Sequence, residues 1–75
     1  MDYDYLIDIK GLCCSAPIIH LTKEFKAFAA DKIILVISDK SSMLNDIPAY
    51  CGMTNHKLIK QEQADGLYRF WIKKH

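Results

Sequence analysis

Five consecutive aliphatic residues, Ile33-Ile34-Leu35-Val36-Ile37, sit near the middle of the chain, and they limit its fold more than any other feature. Such a run is rich in β-branched side chains and too short to span a bilayer, so it reads as a central strand covered on at least one side. A tight connection at Asp31-Lys32 precedes it. Segments with a different period flank it.

From Ser15 to about Ala30, the apolar residues Ile18, Leu21, Phe25 and Phe28 recur every three or four positions. Lys23, Glu24 and Lys26 lie on the other faces, the pattern of an amphipathic helix. Pro17 suits its first turn, where a missing N–H costs nothing. After the aliphatic run, Ser38-Asp39-Lys40-Ser41-Ser42 offers several capping side chains ahead of Met43, Leu44, Ile47, Tyr50 and Cys51, a second helix ending near Met53 and Thr54. Pro48 within it predicts a restart near Asp46 or a kink.

Residues 3–9 alternate Tyr3, Tyr5, Ile7 and Ile9 with Asp4, Leu6 and Asp8, as in a strand with one buried face, and Gly11 ends it. Lys57 to Gln63 and Leu67 to Lys73 flank the turn residues Ala64-Asp65-Gly66 and read as a hairpin. Tyr68, Phe70 and Ile72 are expected in the core, with Arg69, Trp71 and Lys73 outward. The order is β-α-β-α-β-β, an α/β two-layer sandwich in which two helices cover one face of a four-stranded mixed sheet. The other face is left for solvent or a partner, and Trp71 there is a candidate contact residue.

With 75 residues, the chain is read as one domain, 1–75, with one small core and no cleft between lobes. The formal net charge of +1 argues against direct nucleic-acid binding, although Arg69, Lys73, Lys74 and His75 make one end locally basic. Met1-Asp2-Tyr3-Asp4 has neither the basic nor the apolar region of a signal peptide, so a cytoplasmic protein with no membrane association is expected. Three cysteines, two of them adjacent, make neither a disulfide framework nor a paired CxxC zinc site. They read as reduced thiols, and no metal is expected.

Of the three, Cys14 carries the chemistry. It lies in Gly11-Leu12-Cys13-Cys14-Ser15-Ala16-Pro17, between the first strand and the first helix, where free backbone N–H groups and the helix dipole favour a thiolate. Nearby Lys10 adds a positive charge. Cys51, on the apolar stripe with Ile47, is a core residue, and His20 and His56 are too isolated in sequence to form a metal site. Asp46 is a cap for the second helix or a docking residue, capping being the simpler role.

Two segments, Gly11-Leu12-Cys13-Cys14-Ser15-Ala16-Pro17 and Asn45-Asp46-Ile47-Pro48-Ala49-Tyr50-Cys51, together resemble the TusA/SirA-like sulfur-carrier family, with its G-L-x-C-P-x-P and D-I-P-x-[aromatic]-C stretches. The resemblance implies that Cys14 is the persulfide-carrying residue, with Gly11, Pro17 and Asp8 on matching family positions. Ser15 replaces the family's first proline and remains a good N-cap. Lys10, Gly11, Ser15, Pro17 and Asp46 are the supporting residues on this reading. It implies a sulfurtransferase that accepts sulfane sulfur from a donor protein such as a cysteine desulfurase or rhodanese, and relays it to an acceptor protein with no cofactor. Two other readings stand beside it: a non-catalytic regulatory or interaction module on the same scaffold, and a thiol redox protein using Cys13 and Cys14.

Overall fold

A computed structural model describes residues 2–12 and 15–75. Cys13 and Cys14, on which the thiol readings fall, lie outside the described residues. The elements are β1 (Tyr5–Asp8), α1 (Ala16–Phe25), β2 (Ile33–Ser38), α2 (Met43–Thr54), β3 (Lys57–Ala64) and β4 (Leu67–Lys73). The four strands form one mixed sheet in the order β1-β2-β4-β3, with both helices on one face. β1 pairs with β2 in parallel, and β4 pairs antiparallel with β2 and with β3. The α/β two-layer arrangement is therefore as the sequence predicts.

Between the layers lie Ile7 and Ile9, Leu21 and Phe25 of α1, Ile34 and Val36 of β2, Met43, Ile47, Tyr50 and Cys51 of α2, and Phe70 and Ile72 of β4. Burying one such large apolar side chain is worth about 1.5–3 kcal/mol, whereas an exposed ion pair is worth about 1 kcal/mol or less. The apolar alternation, rather than the surface charges, therefore fixes which face of each strand turns inward. The hairpin closes on Asp65 and Gly66, whose φ angles of 55° and 76° are the two positive values a type I′ turn needs.

Several boundaries differ from expectation for identifiable reasons. β1 is shorter than residues 3–9, yet its hydrogen bonding reaches further: Asp4 N–H donates to the Ile33 carbonyl (2.7 Å) and Ile9 N–H to the Ile37 carbonyl (2.8 Å). Tyr3 and Tyr5 are 47% and 36% exposed, so the buried face of this segment is Ile7 and Ile9 alone. α1 ends at Phe25, not near Ala30, because Ala27 and Phe28 bond back three residues, to the Glu24 and Phe25 carbonyls. Phe28 stacks on Tyr5, with ring centroids 4.1 Å apart, while its ring stays 5.7 Å from that of Phe25. α2 runs through Pro48 as one element with no restart, and Asn55, in the left-handed conformation at φ 63°, ends it.

Trp71 departs most from expectation. It stands on the sheet face opposite the helices, paired in register with Leu35 and Lys60, but it is only 5% exposed. The Lys60 ammonium lies 5.0 Å from the ring centroid and covers it. Trp71 is therefore not a presented contact residue, and its indole N–H is buried with no hydrogen-bond partner among the described residues.

Candidate functional site: a tethered turn ahead of a helix N-terminus

Because β1 and β2 are parallel, the connections to α1 and α2 leave from the same end of the sheet. The first of these leads to Cys14. It opens with a turn from Ile9 to Leu12, closed by a hydrogen bond from Leu12 N–H to the Ile9 carbonyl (3.2 Å). Gly11, the third residue of this turn, has φ +82°, as a type II turn demands there. A Cβ at Gly11 would meet nothing within 4 Å, so the backbone conformation, not lack of space, is what favours glycine.

Each amide of the turn has its own acceptor. Ile9 N–H donates to Ile37, as above, and Lys10 N–H to the Asp8 carboxylate (2.9 Å). Gly11 N–H donates to the Asp39 carboxylate (3.1 Å), across 28 residues of sequence. The Gly11 hydrogen bond is the largest influence on the Asp39 carboxyl and, with lesser help from the charges of Lys40 and Lys10, holds it below its ordinary range against the opposing effect of desolvation. The sequence marks Asp39 only as one of several possible caps for the second helix, not as a partner of Gly11. A single acidic residue after a strand has no periodic signature, and its partner is remote in the chain.

The supporting residues are spread over this end of the fold. The Lys10 ammonium lies 3.7 Å from the Asp8 carboxylate, so part of its charge is already engaged. Ser15 occupies the N-cap position of α1 with φ −88° and ψ −10°, and its carbonyl accepts from Ile19 N–H (3.1 Å). Its side chain makes no capping hydrogen bond, contrary to the role expected of it. Pro17 lies in the first turn of α1 and is buried. Asp46 is not the cap of α2 either: Ser42 holds that position, and Asp46 stands in the first turn, where its charge complements the helix dipole.

Cys51 is 5% exposed on the inner face of α2, and burial pushes its thiol up to about 11. It is thus an inert core thiol at neutral pH. His56 packs against Phe25 and Tyr50, with centroids 4.8 and 5.9 Å away, at the opposite end of the helices. These three side chains, with Lys74, line a cleft of ≈ 230 Å³, and the His56 Nδ1 accepts the backbone N–H of His75 (3.1 Å). Lys74 there donates to the Phe28 carbonyl just beyond α1, so its charge serves the end of a helix. Among the described residues, no three His, Cys, Asp or Glu side chains come together as a metal site. No helix among them is long and apolar enough to cross a membrane.

Comparison with known proteins converges on one family. Residues 5–74 match the family described as "Sulfurtransferase TusA". The chain is 36% identical to the "Sulfur carrier protein TusA" of Buchnera aphidicola subsp. Baizongia pistaciae, over 92% of this chain and 87% of that protein. It is 35% identical to the protein of the same name from Pseudomonas entomophila, over 96% of this chain and 90% of that one. With the Pseudomonas putida (strain W619) protein the identity is 34%, over 95% and 89%. A match running from β1 to the end of β4, with relatives of nearly the same length, places the chain in the TusA sulfurtransferase family.

Proposed function

We propose that this sulfur carrier holds its cargo as a persulfide on Cys14. The observation that supports the reading most directly is the tethered turn from Ile9 to Leu12, which feeds the chain into Cys14 just before α1 begins at Ala16. The first N–H groups of a helix stabilise an anion placed ahead of it, and a thiolate is the attacking form. Cys51 is removed from competition by burial.

Loading is a nucleophilic exchange at sulfur. The Cys14 thiolate attacks the outer sulfur of a donor persulfide, the donor's S–S bond breaks, and the donor leaves as its own thiolate. The product is Cys14–S–SH. Delivery repeats the exchange, with an acceptor thiolate attacking the terminal sulfur. A carrier therefore works between a donor and an acceptor protein, and we assign the donor to the cysteine desulfurase or rhodanese class. The chemistry needs Cys14 reduced, which fits the cytoplasm. The match over residues 5–74 supports reading residues 1–75 as one TusA-like domain.

Gly11 and Pro17 shape the approach to Cys14 and the start of α1, Lys10 adds positive charge to that approach, Ser15 contributes its backbone at the N-cap position, and Asp46 in the first turn of α2 is left for docking a partner. The test is mass spectrometry after incubation with a cysteine desulfurase and cysteine. The wild type gains one sulfur mapped to Cys14, and Cys14→Ser remains folded and gains none. Loading of Cys14→Ser at Cys13 or Cys51 overturns the assignment. A loss of two protons between Cys13 and Cys14, with no sulfur gained, would instead support the redox reading.

A further inference from the structure

We propose that Asp39 is a positioning residue for sulfur transfer, its carboxylate holding the Ile9–Leu12 turn by accepting the Gly11 N–H and so ordering the run into Cys14. This rests on the reading of Cys14 as the sulfur-bearing residue. The ordinary role for an exposed aspartate after a strand would be to cap its own loop. That role is already filled: the Oγ of Ser38, which is fully buried, accepts the Lys40 N–H at 3.0 Å. The Asp39 carboxylate is thereby free to reach Gly11 at 3.1 Å.

The remaining turn contacts are local or belong to the sheet. Lys10 is held by Asp8 two residues earlier, Leu12 by Ile9 three residues earlier, and Ile9 by the strand pairing with Ile37. Asp39 alone among these acceptors ties the turn to the connection between β2 and α2. It does so at Gly11, which lies at φ +82° and has the widest backbone freedom of any residue type. Loss of the tether frees that glycine, and the nucleophile three residues further on then spends less time in its productive placement. The charged groups around this carboxylate are Lys10 and Lys40, with Asp8 paired to Lys10.

Asp39→Ala removes the acceptor, and Asp39→Asn keeps an oxygen in its place. The expected results for Asp39→Ala are faster hydrogen exchange at the Gly11 amide and loss of the acid titration of the Gly11 amide shift that follows Asp39 in the wild type. Sulfur loading of Cys14 from a desulfurase, and alkylation of Cys14 by iodoacetamide, should both slow by about threefold to tenfold, the range one net hydrogen bond supplies. Both rates are read well below the melting temperature. Asp39→Asn should recover most of the rate but not the titration.

Wild-type loading by Asp39→Ala with a freed Gly11 amide overturns the proposal, as does an Asp39→Asn protein as slow as Asp39→Ala. Failure of the underlying reading looks different, because it appears as sulfur on Cys13 or Cys51 in the wild-type protein, whatever residue stands at position 39.

Discussion

The Lys60 ammonium and the Trp71 indole face each other 5.0 Å apart on the side of the sheet away from the helices, and this pair closes a surface that the strand alternation leaves bare. Lys60 also reaches the Glu62 carboxylate at 3.1 Å, which holds its side chain along β3. Its aliphatic stem and charged head therefore do for Trp71 what a third layer would do in a larger protein.

Lys60→Ala should uncover the indole. Trp71 is the only tryptophan, so its fluorescence reports this site alone. The expected outcome is a red-shifted emission maximum and a loss of about 0.5–1 kcal/mol in a urea melt, the worth of a cation–π contact near the surface. Lys60→Arg should keep both close to wild type. Unchanged emission in Lys60→Ala would show that other side chains cover the ring and that Lys60 adds nothing.

Cys51 sets a limit on alkaline stability. Burial raises its thiol from 9.0 to about 11 in the fold, so the folded chain keeps its proton at pH values where the unfolded chain has lost it. The contribution is therefore complete below about pH 9 and is lost as pH rises from there to about 11. Its size is on the order of 2 kcal/mol, and Tyr50, raised by its own burial, falls away in the same direction. Cys51→Ala should flatten this alkaline decline while costing about 1 kcal/mol at neutral pH for the lost packing. The check is a series of urea melts from pH 7 to 10.5. A decline equally steep in Cys51→Ala would assign it to Tyr50 or to the lysines. Native wild-type protein should also resist alkylation at Cys51 until it unfolds.

The elements legible from the sequence were those in which one side-chain period dominates. The run from Ile33 to Ile37, the burial of Phe70 and Ile72 and the Asp65-Gly66 turn all appear where expected, because burial and turn geometry act on neighbouring residues, while Tyr68, expected with them in the core, is only half-buried at its edge. Pro48 misled because it lies six residues into α2, counting from Met43, where continued packing of Ile47, Tyr50 and Cys51 outweighs one absent hydrogen bond. Trp71 misled because alternation gives the face of a strand but not what a long side chain on the next strand lays over it. At the candidate site, Gly11 and Pro17 were readable from backbone preference, while Asp39 was not, since its one informative contact joins two loops 28 residues apart. The capping roles given to Ser15 and Asp46 were transferred from residue type, and the backbone placed the caps elsewhere or left the side chain unused.

Ser15 gives the last prediction. Proline fixes φ near −65 ± 15°, and Ser15 stands at −88°, a short relaxation away. The serine side chain makes no capping bond that the change would remove, and the Ser15 carbonyl that accepts from Ile19 is kept. Ser15→Pro should therefore stabilise the protein by about 0.4–1 kcal/mol, chiefly by restricting the unfolded chain. Proline also pushes the residue before it towards extended backbone, and that residue is Cys14. Two measurements separate these effects: urea melts read the stability, and iodoacetamide rates at Cys14 read the presentation of the thiol. Greater stability with alkylation as fast as wild type or faster is the expected result. Lower stability together with slower alkylation would mean that the chain has rebuilt this helix entrance around serine, and that the proline geometry of the family does not transfer to it.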